Sequence, residues 1–304
     1  MKLLVTGAFD ATEEQLDKLS SLGYEIMRQQ DERGTPECDF SQADAVICNG
    51  LFLFHDISEF KSLKVIQLTS AGLDRVPLDE IKKRNIALFN ARGVYSVPMA
   101  EFAVSGVLNI YKHLNSFYES QKNHEWKKDR EIRELSGETV AIIGCGSVGY
   151  ECAKRFKAFD TRLISVDVFN HCNKIYDEFC HISNIGSVLN KADIVLLTLP
   201  LTDKTAGMFD KEMFSCFKDG SVLVNISRGA VVNEADLISS LESGKLSGAA
   251  LDVFENEPLD KNSKLWDMKN VIITPHNSFV SKNNGARLFA LAYDNLKKSA
   301  KGLV

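Results

Sequence analysis

Three short segments of the 304-residue chain each place a charged or titratable side chain just after an apolar run. The segments are Asn225–Gly229 with Arg228, Asp252–Pro258 with Glu257, and Thr274–His276. Continuous apolar runs predict buried strands, and open α/β sheets bind ligands beyond the carboxyl ends of their strands. A cation, an acid and a proton carrier brought together at one such edge would serve the reduction of a carbonyl group.

A glycine-rich motif lies between the apolar run at residues 139–143 and the helix-like stretch at residues 150–159. It reads Gly144-Cys145-Gly146-Ser147-Val148-Gly149. In this strand–turn–helix context the glycines allow a tight turn and a close approach of the backbone to a pyrophosphate. The pyrophosphate would also face the positive end of the helix dipole. Glycine turns occur in many loops, so the motif needs further support.

Asp167 supplies that support, because it ends the next predicted strand, 18 residues after Gly149. A carboxylate there binds the ribose hydroxyls of NAD and repels the extra phosphate of NADP. Residues 168–170 contain no Arg or Lys, which favours NAD(H) over NADP(H). The alternative is a carboxylate that only faces solvent at a strand end.

Composition excludes several other classes of function. The net charge is −5 with no long basic block, which argues against nucleic acid or an anionic membrane surface as a partner. Met1–Phe9 is predicted to be a strand rather than a signal peptide, and no apolar run approaches a membrane span. Seven irregularly spaced cysteines without a CxxC pair predict a reducing cytoplasm, no disulfide framework and no metal site. Within the glycine motif, Cys145 is expected to be a small filler.

Alternating strand and helix patterns predict two α/β units with parallel sheets. The predicted strands are 2–6, 25–27, 45–48, 65–69 and 87–90 in the first unit, and 139–143, 163–167, 194–199, 221–225, 249–253 and 271–274 in the second. A long buried helix is expected at residues 97–114, and a last helix at residues 281–298. Residues 115–135, which are polar around Trp126, are either an exposed surface segment or an arm that packs on a second subunit.

The chain resembles the D-isomer-specific 2-hydroxyacid dehydrogenase family over nearly its whole length. The resemblance rests on the segments above and on Ser70-Ala71-Gly72-Leu73-Asp74, Ala100-Glu101 and Leu199-Pro200-Leu201-Thr202. It implies two Rossmann-like or flavodoxin-like domains. An NAD-binding domain at 98–280 would be inserted into a split substrate-binding domain at 1–97 and 281–304. It also implies a homodimer joined through the NAD-binding domains, and an oxidoreductase acting on CH–OH donors (EC 1.1.1.-).

The family's functional residues carry over to matching positions. Arg228 would bind the substrate carboxylate and polarise its C2 oxygen, His276 would move the proton, and Glu257 would orient His276 and favour its protonated form. Asp252 would orient the nicotinamide carboxamide. The other cofactor-binding residues would be Gly144, Gly146, Ser147, Val148, Gly149, Asp167, Leu199, Pro200, Thr205, Ile226, Ser227 and Phe279, together with Arg228 and His276. The substrate would meet Phe52, Ser70, Ala71 and Gly72, as well as Arg228 and His276.

The substrate itself stays open at this point. The loop 49–54 contains no Arg or Lys, and a regulatory domain after the last helix is not expected, so a phosphorylated acid is disfavoured. Phe52, Phe54 and Phe279 favour a 2-keto acid with an apolar side chain, unless the loop phenylalanines only anchor the loop. Phosphoglycerate and glyoxylate or hydroxypyruvate reduction are the alternatives, and an NAD(H)-sensing corepressor is the alternative of another class. Asn277 would either bind substrate or cofactor, or cap the helix near Ser281.

Overall fold

A computed structural model describes residues 1–171 and 173–302. Cys172, one of the cysteines counted above, and residues 303–304 of the predicted C-terminal segment lie outside the described residues. The chain divides into two compact units, one formed by Met1–Tyr95 with the segment from Ser281, the other by Ser96–Val280. The predicted first boundary, 97/98, falls inside the helix that opens the second unit.

Strands and helices alternate through both units of the described chain. In chain order the strands are β1 Lys2–Thr6, β2 Glu25–Gln29, β3 Ala45–Cys48, β4 Val65–Leu68, β5 Ala87–Phe89, β6 Thr139–Ile143, β7 Arg162–Asp167, β8 Glu178–His181, β9 Ile194–Leu197, β10 Ser221–Asn225, β11 Leu246–Leu251 and β12 Val271–Ile273. The helices are α1 Glu13–Ser20, α2 Leu78–Lys83, α3 Ser96–Tyr111, α4 Leu114–Lys122, α5 Ser147–Lys157, α6 Gly186–Leu189, α7 Lys211–Ser215, α8 Glu234–Glu242 and α9 Asn284–Ala300.

The first unit is a five-stranded parallel sheet with strand order β2-β1-β3-β4-β5. Its central strands β3 and β4 are wholly buried, as expected for a sheet covered on both faces. α1 begins with a capping box between Thr12 and Gln15, which satisfies N–H groups that no helical carbonyl reaches. α9, from the end of the chain, buries Leu288, Ala292 and Leu296 in the same core as α1.

The second unit is a seven-stranded parallel sheet with strand order β12-β11-β10-β9-β6-β7-β8. β6 pairs with β7 on one side and β9 on the other, so the strand order reverses at β6. Such a reversal leaves a crevice at the carboxyl end of the sheet, where this fold class binds its ligands. α3 packs closely on the sheet at Gly106, where a Cβ would lie only 2.6 Å from Cβ of Ala250.

The two-domain α/β class predicted from the sequence is therefore confirmed, whereas β8 and α4 are among the elements that were not predicted. β8 has only Phe179 and Cys180 as apolar residues and lies at an edge of the sheet, where an apolar run is not required. α4 occupies the first part of the polar 115–135 segment and buries none of its residues. Among the described residues, no helix is both long and apolar enough to cross a bilayer.

Candidate active site

The glycine motif forms the turn between β6 and α5, and its three glycines have different surroundings. Gly144 has a φ of +93°, and a Cβ there would lie 2.7 Å from the backbone of Leu199. A Cβ on Gly149 would lie 2.4 Å from the carbonyl oxygen of Gly144, so this glycine lets the helix approach the strand. A Cβ on Gly146 would meet no described atom within 4 Å, so Gly146 borders open space.

α5 begins at Ser147, directly behind this open space. No side chain of the described residues caps its N-terminus, so the N–H groups of Ser147 and Val148 remain for an external anion. The dipole of an 11-residue helix also favours negative charge at this end. A glycine cradle with an uncapped helix N-terminus fits the pyrophosphate of a dinucleotide.

Asp167 ends β7 beside this turn and binds it directly. Its Oδ2 accepts a hydrogen bond from the Cys145 N–H at 2.7 Å, and its Oδ1 accepts one from the Val168 N–H at 2.7 Å. The Cys145 thiol is buried, and burial raises the pKa of that thiol to about 12. A thiol of this kind stays protonated at neutral pH, consistent with a filling role.

The segment after β10 carries Arg228 and is organised by the buried Asn225. Asn225 Oδ1 accepts hydrogen bonds from the N–H and hydroxyl of Ser227, and its Nδ2 donates to the Arg228 carbonyl. Arg228 is exposed and donates from Nη1 to the Ser227 carbonyl at 2.7 Å. The next residue must be a glycine, because a Cβ on Gly229 would lie 1.8 Å from the carbonyl oxygen of Phe254.

Asp252 is buried after β11 and holds the loop that follows β12. Its carboxylate accepts hydrogen bonds from the Thr274 hydroxyl (2.6 Å), the Asn277 N–H (2.7 Å) and both the N–H and hydroxyl of Ser278 (3.0 and 2.5 Å). Its backbone carbonyl accepts the His276 N–H at 2.8 Å. His276 adopts a φ of +50° inside this loop, a conformation that costs energy for a non-glycine residue and is held by these bonds.

His276 and Glu257 form the ion-pair geometry expected of a proton carrier and its orienting acid. Nδ1 of His276 lies 2.9 Å from Oε2 of Glu257, while Oε1 of Glu257 accepts the Phe254 N–H at 3.1 Å. The Phe279 ring packs against the imidazole at 6.0 Å between centroids and 88° between planes. The His276 side chain is 41% exposed, so the imidazole is partly accessible to solvent.

Phe254 links the two halves of this arrangement through its backbone. Its carbonyl lies against Gly229, which follows Arg228, and its N–H binds Glu257. The segments of Arg228, Glu257 and His276 are therefore packed at one edge of the second sheet. Other predicted cofactor residues also follow a strand there: Leu199 and Ile226 are buried, and the Thr205 hydroxyl donates to the Pro200 carbonyl at 2.7 Å.

Asn277 does not cap the last helix. α9 begins at Asn284 with Asn283 at its N-cap, and no side chain of the described residues caps it. The predicted start near Ser281 was wrong by three residues, so one of the two interpretations of Asn277 fails. The hydrogen bonds described for Asn277 are made by its backbone: its N–H donates to Asp252, and its carbonyl accepts the Val280 N–H.

In the first unit, the predicted substrate segment Ser70–Gly72 follows β4. The Ser70 carbonyl accepts the Ala91 N–H, the Ala71 carbonyl accepts Asn90 Nδ2 at 2.7 Å, and the Ser70 hydroxyl donates to the Gly72 carbonyl. These bonds fix the carbonyls of the segment. Asn90 was not singled out from the sequence, although an Asn directly after a strand is a common turn residue.

The loop with Phe52 is also held by residues that sequence reasoning missed. Phe52 packs on Phe60 at 5.3 Å between centroids, whereas Phe54 is 52% exposed. Glu32 accepts the N–H groups of Asn49 and Gly50 at 2.7 and 2.6 Å. Beside it, the Arg33 guanidinium lies 5.7 Å from the centroid of the Phe54 ring. The loop 49–54 itself contains no Arg or Lys, but the fold places the Arg33 guanidinium beside it.

Comparisons with known proteins agree on one family. Residues 104–278 match the sequence profile of the NAD binding domain of D-isomer specific 2-hydroxyacid dehydrogenases. The human glyoxylate reductase/hydroxypyruvate reductase is 34% identical over 246 residues, covering 79% of this chain and 75% of that protein. The structure of D-lactate dehydrogenase from Aquifex aeolicus, complexed with NAD and lactic acid, matches with a TM-score of 0.79 and 27% identity, covering 99% and 96% of the two chains.

A D-3-phosphoglycerate dehydrogenase from Bacillus subtilis is 33% identical over 247 residues, covering 81% of this chain and 47% of that protein. The chain thus spans about half the length of the phosphoglycerate dehydrogenases it matches.

The sheet orders and the glycine turn define a two-domain dinucleotide-binding protein of the Rossmann type. The chain belongs to the D-isomer specific 2-hydroxyacid dehydrogenase family. Most of its second unit, residues 104–278, is that family's NAD-binding domain, and the open cradle at Gly146 with the uncapped α5 fits this cofactor.

Proposed function

We propose that the protein interconverts a small 2-keto acid and the corresponding D-2-hydroxy acid with NAD(H). The observation that carries the proposal is the hydrogen bond between His276 and Glu257, on segments packed beside that of Arg228. These are the three groups that a carbonyl reduction needs: a fixed cation, a proton carrier and an acid that orients it.

Each residue has a definite task in this reaction. When bound, NADH supplies a hydride from C4 of its nicotinamide to C2 of the keto acid. Arg228 binds the substrate carboxylate and polarises the C2 oxygen with its guanidinium. His276 donates a proton to that oxygen from Nε2, since Nδ1 is engaged by Glu257. In the reverse direction the same nitrogen accepts the proton.

Asp252 contributes by positioning His276. All of the hydrogen bonds described for its carboxylate go to the loop 274–278, and the residue is 1% exposed. We therefore assign it to holding that loop. Orientation of the nicotinamide carboxamide by Asp252 stays a prediction.

NAD(H) is the preferred cofactor in this proposal, because Asp167 carries a negative charge at the end of β7. Its carboxylate, fixed by Cys145 and Val168, would bind ribose hydroxyls and disfavour a phosphate on the ribose.

We further propose that 1–97 with 281–304 is the substrate-binding domain and 98–280 the NAD-binding domain. The N–H groups of Ser70–Gly72 would hold the substrate carboxylate.

Phe52 and Phe279 support an apolar substrate side chain, since neither supplies a polar group. A second candidate, an acid with a further anionic group, is favoured by the Arg33 guanidinium over Phe54. Glyoxylate or hydroxypyruvate would need neither feature. A corepressor that only senses NAD(H) is the candidate of another class.

We also propose that the protein is a cytoplasmic homodimer. Trp126 is 98% exposed and Tyr118 is 54% exposed, both within 115–135, and exposed aromatic rings are enriched in subunit interfaces. Light scattering after gel filtration should give twice the chain mass, and W126A should lower it if this segment is the arm.

The proposal is tested by NADH oxidation with glyoxylate, hydroxypyruvate, pyruvate, phenylpyruvate and 2-ketoisocaproate. R228A and H276A should each abolish keto-acid reduction while NADH binding, measured by fluorescence, stays near wild type. Unchanged turnover in either variant would remove that residue from the mechanism. Cofactor binding without turnover of any acid would favour the corepressor.

A further inference from the structure

The loop between β7 and β8 brings a histidine onto the carboxylate that selects the cofactor. Nε2 of His171 lies 3.3 Å from Oδ2 of Asp167, the oxygen that also accepts the Cys145 N–H. The side chains of His171 and Asp167 are 43% and 18% exposed. The Asp167 carboxylate thus has a titratable neighbour, His171, to which the proposed reaction assigns no role.

A cavity of about 220 Å³ lies under this loop, and His171 is part of its wall. Ser165 from β7, Asn170, Asn173 and Lys174 from the loop, and Glu178 from β8 also line it. Among the described lining residues, Lys174 and His171 are the groups able to carry positive charge. The wall therefore offers amide and cationic groups close to the ribose end of the proposed cofactor site.

The other charged groups around His171 are engaged elsewhere. Asp177, in the same cavity wall, pairs with Lys157 at 2.8 Å. Glu178 pairs with Arg162 at 2.7 Å and with Lys191 at 3.4 Å. On β8, His181 is the ladder partner of Asp167, but its Nδ1 lies 2.9 Å from the Ser183 hydroxyl. Among the side-chain types in this wall, the imidazole is the one that changes charge in the neutral range, and His171 is the wall residue that carries it.

We infer that His171 is a pH-sensitive specificity-determining residue that admits the 2′-phosphorylated cofactor NADP(H) when it is protonated. The neutral imidazole leaves the Asp167 charge uncompensated, and a ribose phosphate is repelled. The imidazolium compensates that charge and adds a donor on the cavity wall next to Lys174. The inference rests on the proposed NAD preference and names the group that modulates it.

The direction with pH follows from the chemistry of an imidazole, which changes charge between about pH 5 and 8. NADPH binding should therefore improve relative to NADH as pH falls. One unit charge about 4 Å away in exposed surroundings corresponds to about a fivefold change in affinity. The phosphate of NADPH itself gains a proton near about pH 6, so the wild type must be compared with a variant that lacks the imidazole.

The test is equilibrium binding of NADH and NADPH, followed by nicotinamide fluorescence at about pH 5.5 and about pH 8, the two sides of the imidazole transition. The quantity compared is the dissociation constant of NADPH divided by that of NADH. From the higher to the lower pH, this ratio should fall about fivefold more in the wild type than in H171Q. H181Q, which removes the imidazole on the neighbouring strand, should behave as wild type. H171K should keep the ratio low at both pH values.

Two kinds of result overturn the inference. If NADH binds tightly and the wild type and H171Q show the same pH dependence, His171 plays no part, and the proposed NAD preference stands. If the wild type prefers NADPH at the higher pH, or binds neither cofactor, the proposed cofactor preference fails and the inference fails with it.

Discussion

Nδ1 of His276 is hydrogen-bonded to Oε2 of Glu257 at 2.9 Å, and this bond determines which imidazole nitrogen faces a substrate. A histidine whose Nδ1 is held by an acid presents Nε2 outward. The Phe254 N–H in turn orients Glu257. The backbone therefore holds the His276 ring indirectly, through this acid.

Replacing Glu257 with glutamine should move the pH dependence of keto-acid reduction. Gln retains the hydrogen-bonding shape but removes the negative charge that stabilises the imidazolium. Reduction needs the protonated ring, so the rate in the variant should begin to fall at a lower pH than in the wild type. The profile of kcat/KM against pH measures this. E255Q, an exposed acid in the same turn, should leave the profile in place; an unmoved profile in E257Q would exclude the orienting role.

Asp252→Asn should destabilise the protein and slow reduction together. An amide NH2 in place of Oδ1 would face the donors of Thr274, Asn277 and Ser278, and one in place of Oδ2 would face those of Ser278. Leaving such buried groups unsatisfied costs about 1–3 kcal/mol of unfolding free energy. Urea unfolding and kcat should both decline, whereas D219N, at an exposed ion pair, should change stability by less than about 1 kcal/mol. Normal kcat in D252N would separate the loop from catalysis.

Gly146→Val should weaken NADH binding without unfolding the protein. The φ of Gly146 is −71°, which Val accepts, and its Cβ would project into space free of described atoms. The side chain would then occupy the approach to the α5 N-terminus, and loss of one charge-assisted hydrogen bond there raises Kd by more than about tenfold. G149A should instead unfold more easily, because its Cβ would overlap the Gly144 carbonyl. Wild-type NADH affinity in G146V would place the cofactor elsewhere.

Much of this architecture is predictable from local sequence. Buried parallel strands such as β6 and β10 are continuous apolar runs, so their bounds were predicted as observed. Glu257 and His276 were singled out as candidates because each comes shortly after such a run. The supporting contacts were not predictable, because they join distant loops: Glu32 reaches Asn49, and His171 folds back on Asp167. These contacts depend on the conformation of the loops, and loop conformation produces no periodic pattern in the sequence.

Substitution of Arg33 gives the sharpest test of the substrate class, because the fold places the Arg33 guanidinium beside the loop 49–54, which has no cationic side chain. Its guanidinium lies over the exposed ring of Phe54, and the neighbouring Glu32 fixes the start of the same loop. If Arg33 binds a second anionic group, R33Q should lower kcat/KM for 3-phosphohydroxypyruvate about tenfold and for hydroxypyruvate less than about twofold.

The ratio of the two kcat/KM values isolates the contribution of the phosphate, since both substrates share the keto-acid end. R28Q is the matched control, because Arg28 is an exposed cation on β2 that pairs with Glu13 rather than with the loop. Its ratio should equal that of the wild type. An equal ratio in R33Q would dismiss the anionic candidate and leave the apolar side chain proposed from Phe52 and Phe279. A fall confined to R33Q would assign the specificity of this protein to a cation outside the loop.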